Sequence, residues 1–145
     1  MSAGYNEEAY SHARQAIIDL PCAFERGLLS TCVQCHLTQK RLLAERELMT
    51  CLDAAASQRC RAFLEAVHQN ARFALHIEAG QPWPFGKEIR AQCGSIHGLI
   101  EAQDAADTDI ATLLNNTEAQ DLEGLPWPVI MRGVVHYEPR RRRGL

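Results

Sequence analysis

Six cysteines and six histidines in a chain of 145 residues are the first sign of chemistry. Cys32-Val-Gln-Cys35-His36 sets two thiols and an imidazole within five consecutive positions. Thiolate and imidazole suit zinc or an iron–sulfur cluster, and a C-x-x-C pair on a helix brings two ligands within one turn. Cys60, Cys93 and His97 are placed to complete the shell from neighbouring helices. The expected metal set is therefore Cys32, Cys35, His36, Cys60, Cys93 and His97, with zinc or an iron–sulfur cluster as cofactor. The full spacing, with Cys51 included, matches no zinc ribbon or ferredoxin run. Two other readings use the same residues. Reduced cysteine packs as a small buried hydrophobe, and a pair of thiols can oxidise reversibly as a redox sensor.

The five residues from Cys32 to His36 also resemble the covalent c-type haem site, in which two thiols bond the porphyrin and the following His ligates iron. Met49 and His68, the candidate second axial ligands, have no supporting motif, so haem is disfavoured. Glu65-Ala-Val-His68 resembles the Glu-x-x-His of di-iron bundles, but the second copy such sites need is missing. There is no Gly-rich phosphate loop, G-x-S-x-G elbow or H-E-x-x-H run, and the reading leans away from an enzyme.

Positioning these residues falls to helices. Asn6 caps a predicted helix to about Leu20, and Pro21 opens a second that runs to Met49 or Cys51. Turned at ~100° per residue, that second helix carries Cys32, Cys35 and His36 on the side of Leu28, Leu29 and Leu43. Glu25 shares that side and needs a partner there, because burying a lone carboxylate is costly. A third helix is predicted from Asp53 or Ala54 to about Ile77, with Cys60 inward and His68 and His76 outward. A fourth runs from about Lys87 to Ala106, with Cys93 inward and Gly94 and Gly98 forming a strip that lets another helix approach closely. Asp107 or Thr108 caps a short fifth helix to Asn115. Beyond Gly124, Leu125-Pro-Trp-Pro-Val-Ile-Met131 reads as extended, since prolines flank the tryptophan and the apolar residues are β-branched. Trp83 and Trp127 are stiff aromatic anchors, expected in the protein's own core more often than in a partner's groove.

The expected fold is thus all-α: a bundle of four principal helices over residues 1–124, a short fifth helix within it, and an extended arm with a basic tail over 125–145. The apolar fraction of 46% excludes a disordered chain. No apolar run approaches the roughly 20 residues that span a bilayer. Met1 to Glu8 contains no basic residue, so a secretory signal is not expected and the protein reads as cytoplasmic. Arg140 to Arg143 supply four of the fifteen basic residues, leaving 11 against 18 acidic ones elsewhere. An acidic body repels a duplex, which disfavours nucleic acid as a partner. The functional expectation is a metal- or cluster-binding accessory or regulatory protein. Its rival is a metal-free adaptor whose Trp127 arm and Arg140–Arg143 tail engage a protein partner, and the glycine strip could equally serve a homodimer.

Overall fold

The computed structural model describes residues 20–78, 80–106, 108–117 and 121–138. The first predicted helix, the Asp107 cap and the Arg140–Arg143 tail lie outside them. Within them the expectation of an all-α bundle fails: five helices are joined by a two-stranded antiparallel hairpin. In chain order these are α1 (Glu25–Leu29), β1 (Thr38–Leu43), β2 (Arg46–Cys51) and α2 (Ala54–Ala71). Three continuous segments, Phe85–Ile89, Arg90–Gly94 and Ser95–Gln103, then make up α3, the middle one wound as a π-helix. α4 (Ile110–Asn115), a 3₁₀ turn (Leu122–Gly124) and α5 (Trp127–His136) follow.

The predicted helix from Pro21 to Cys51 is the largest correction. It stops at Leu29 because Thr31 turns left-handed, with φ of 60°. The Thr31 N–H then bonds the Leu28 carbonyl and the Cys32 N–H bonds that of Gly27, which is the Schellman termination of a helix. Further on, Leu42-Leu-Ala-Glu-Arg46 looks helical by propensity, yet Ala44 and Glu45 both take positive φ. They form the two-residue turn of a hairpin in register Leu43↔Arg46 to Thr38↔Cys51. β2 gains a neighbour on its other side, where Pro21 bridges Thr50 and the Cys22 and Cys51 N–H groups bond Met49 and Leu20 carbonyls. Glu25 finds the partner its position demands, accepting from the Met49 N–H at 3.1 Å.

α2 forms as its pattern dictates. Asp53 caps it by accepting from the Ala56 N–H, and Cys60, Phe63, Leu64, Val67 and Ala71 bury one face. The expected extended arm is instead α5, a second correction. Pro126 and Pro128 fall at its start, where the missing N–H groups break no helical bond, so they open the helix rather than prevent it. Ile130 and Val134 are fully buried against α3. The helices touch backbone to backbone through glycine: a Cβ on Gly94 would lie 2.6 Å from the Gly133 carbonyl oxygen, and one on Gly98 would lie 2.8 Å from Ile130 Cα. The glycine strip is therefore filled from within the chain. Trp127 stacks on Phe63, and Trp83 packs against the same core. No helix among the described residues is long and apolar enough to cross a membrane.

Candidate functional site

Ending α1 early places Cys32 in a loop that lies against the π segment of α3. There its sulfur is bonded to that of Cys93, with Cα atoms 5.9 Å apart and the two residues 61 positions apart in sequence. Gly27 makes room for the bond, since a Cβ there would stand within 3.6 Å of both sulfurs and 2.9 Å from Val33. The bond is asymmetric in access. Cys93 is fully buried, whereas Cys32 is half-buried and borders an open groove with Gln34, Ile96, His97 and Thr108. The His97 ring lies in that groove, 3.1 Å from the Cys32 carbonyl oxygen and edge-on to Tyr137.

A buried polar chain runs from the disulfide across the core. The Gly27 N–H donates to Gln92 Oε1 at 2.9 Å, Gln92 Nε2 donates to Glu88 Oε1 at 2.8 Å, and Glu88 Oε2 meets His68 Nε2 at 2.8 Å. His68 in turn stacks on Trp83. Gln92 and Glu88 are thereby satisfied away from water, and His68 closes the chain at the surface.

The four remaining described thiols gather elsewhere. Cys22, Cys35, Cys51 and Cys60 line one cavity beneath the hairpin, between Phe24 and α4. Its free space, about 10 Å³, barely admits a single water. Ser57 also lines it, 3% exposed, and its hydroxyl has no hydrogen-bond partner. Burial pushes the Cys22 and Cys60 thiols up to about 12 and raises that of Cys35 as well, because a thiolate is poorly solvated there. Cys35 also borders a second, open groove with Gln34, His36, Asp109 and Thr112. In it His36 Nδ1 lies 2.7 Å from Asp109 Oδ2, and Asp109 also accepts from the His36 and Thr112 N–H groups. Burial alone would raise the Asp109 carboxyl, but the bonds from His36 and Thr112 outweigh it and hold the group below its ordinary value.

The expected metal set is thus dispersed over three places. Cys32 and Cys93 are bonded to each other beside His97, Cys35 and Cys60 face the cavity, and His36 turns out to Asp109. Among the described residues no group of three or more His, Cys, Asp or Glu side chains is arranged to hold a metal ion. The zinc or iron–sulfur cofactor, and with it the metal-binding helical bundle, is overturned. The cause is the early end of α1: in the irregular loop that follows it, Cys32 and Cys35 no longer share a helical face. Sequence reasoning also left Cys22 and Cys51 out of the expected metal set and missed Asp109. In a hairpin, however, Thr38 and Cys51 stand opposite one another on one face, and Asp109 with Thr112 has the spacing of a helix cap. The chain matches no protein-family model, no curated protein and no solved structure.

Proposed function

We propose that the protein is a thiol–disulfide redox switch whose responsive bond is Cys32–Cys93. The observation that supports this reading is the asymmetry of the bond, with Cys32 half-buried at the edge of an open groove and Cys93 sealed in the core. An incoming thiolate reaches Cys32 Sγ, forms a mixed disulfide with it and expels Cys93 as the thiolate, which then takes up a proton. A second thiol attacks the mixed disulfide, leaving Cys32 and Cys93 reduced and the two incoming thiols joined. Two electrons and two protons have passed to the protein.

The element under control is the loop from Cys32 to Leu37. It is tied covalently to α3 through Cys32, and to α4 through the Ile110 N–H bond to the Gln34 carbonyl and the His36–Asp109 pair. Reduction cuts the first tie and leaves the second, so the loop gains freedom at its α3 end alone. The test is equilibration in glutathione buffers, with the Cys32–Cys93 bond counted by alkylation and peptide mass. A midpoint between roughly −180 and −300 mV is expected, within reach of cellular thiol pools. A bond that stays closed below about −300 mV is a permanent cross-link and sinks the switch.

A further inference from the structure

The C-terminal end of α5 comes up beside the groove that borders Cys32. His97 lines that groove with Thr31, Gln34 and Thr108. Its ring stands edge-on to Tyr137, with centroids 5.3 Å apart. Arg90 fastens this end of α5, donating to the Val135 carbonyl at 2.6 Å and to the Tyr137 carbonyl at 3.2 Å. Among the described residues its guanidinium has no carboxylate partner. Arg140 follows Tyr137 by three positions and Arg143 by six. By any path of the chain their Cα atoms therefore lie within about 11 and 22 Å of it. The acidic neighbours in sequence are Asp107, next to Thr108, and Glu138, next to Tyr137. Glu101 is paired with Arg132 and Asp109 with His36. The balance of charge at this end of the groove is positive.

We propose that the thiol admitted to this groove is an anion of glutathione's class, drawn there by Arg140–Arg143. This rests on the reading of Cys32–Cys93 as a reducible bond and names the reductant that bond takes. Glutathione carries two carboxylates against one ammonium, and its reactive thiolate adds a further negative charge. Opposite charge near a site raises the rate of encounter and like charge lowers it. The body of the protein has the wrong sign for such a solute, since without the tail it holds 11 basic residues against 18 acidic ones. The tail reverses that sign locally. Its field extends about 8 Å at physiological ionic strength and about 30 Å at 0.01 M salt. Two glutathiones supply the two electrons and two protons, and leave joined as glutathione disulfide. A cationic thiol is turned away by the same charges.

The experiment reduces the full chain, Cys32–Cys93 closed, with glutathione, with uncharged 2-mercaptoethanol or with cationic cysteamine. Opening of the bond is followed by alkylation and peptide mass. Each rate is divided by that of the same thiol on a small neutral disulfide, which removes differences in intrinsic reactivity. At about 0.01 M salt glutathione is expected to lead mercaptoethanol several-fold and cysteamine by more, and the lead should vanish towards about 1 M. Arg140→Gln, Arg141→Gln, Arg142→Gln and Arg143→Gln together should slow glutathione several-fold and quicken cysteamine, with the melting temperature unchanged. Rates blind to the charge of the thiol, or a glutathione lead that survives the four changes, would each overturn the proposal. Mercaptoethanol separates this inference from the switch itself. If it opens the bond while charge has no effect, the choice of reductant alone falls. If no thiol opens the bond, the switch falls and takes the choice of reductant with it.

Discussion

At the residue scale, burial of Cys22 and Cys60 makes stability depend on alkaline pH. Their thiols ionise near 9.0 in an unfolded chain but only at about 12 in the folded one. Above pH 9 the unfolded state therefore binds fewer protons than the native state, and stability falls as pH rises from 9 towards 12. Urea midpoints measured on either side of 9 should show the decline, and the Cys22→Ala/Cys60→Ala protein should show a flatter one. An equally steep decline in that variant would assign the effect to other groups. Asp109 acts at the opposite end. Its carboxyl sits below the ordinary 3.8, so its contribution is full above about pH 5 and is lost as pH falls through 3.8 and lower. Asp109→Ala removes both the α4 cap and the hold on the His36 loop, for an expected loss of about 2 kcal/mol near neutral pH. The wild-type advantage should shrink in acid. Of these residues, helical phase alone revealed the inward Cys60 and Cys93. Asp109 stayed hidden because its partner His36 is 73 positions away, a distance no local pattern spans.

At the element scale, two local choices oppose propensity, and both mark where the sequence misleads. Ala44 and Glu45 favour helix, yet they occupy a turn that asks for asparagine and glycine. The left-handed conformation costs an ordinary residue roughly 1–2 kcal/mol. Glu45→Gly is therefore expected to stabilise the protein by about 1 kcal/mol in denaturant titration; a loss of stability would show that Glu45 makes a compensating contact. Packing overrides propensity again in α5, where β-branched Val129, Ile130, Val134 and Val135 form a helix because two of them fill the core against α3. The crossing permits no side chain at its centre. Gly133→Ala should push α5 off Gly94 and cost about 1–3 kcal/mol, with the melting temperature lowered accordingly. α2 was legible in the sequence because cap, period and burial agree there. The hairpin was not, because its strands lack the alternation that announces one: five of the six β1 positions carry exposed or polar side chains.

At the scale of the whole molecule, Cys32–Cys93 closes a loop that contains the hairpin and all of α2. With the cysteines 61 positions apart, the chain-entropy account gives about 4 kcal/mol of stabilisation, acting through the unfolded state. The native contacts around the bond need little from it. Gly27 still donates to Gln92, the Ile110 N–H still donates to the Gln34 carbonyl, and the α3–α5 crossing is made at Gly94, Gly98 and Gly133 rather than at Gly27. Cys32→Ser/Cys93→Ser is therefore expected to fold to the same structure and to melt roughly 10 °C lower. Its urea m-value should rise, because the unfolded chain is no longer cross-linked and exposes more surface. Amide exchange should quicken at Cys32 and Gly27 while the α3–α5 seam keeps its protection. The opposite pattern, a lower m-value with protection lost along α3 and α5, would mean that the disulfide organises the native core. A switch requires the first outcome, since only a protein that stays folded when the bond opens can report its opening.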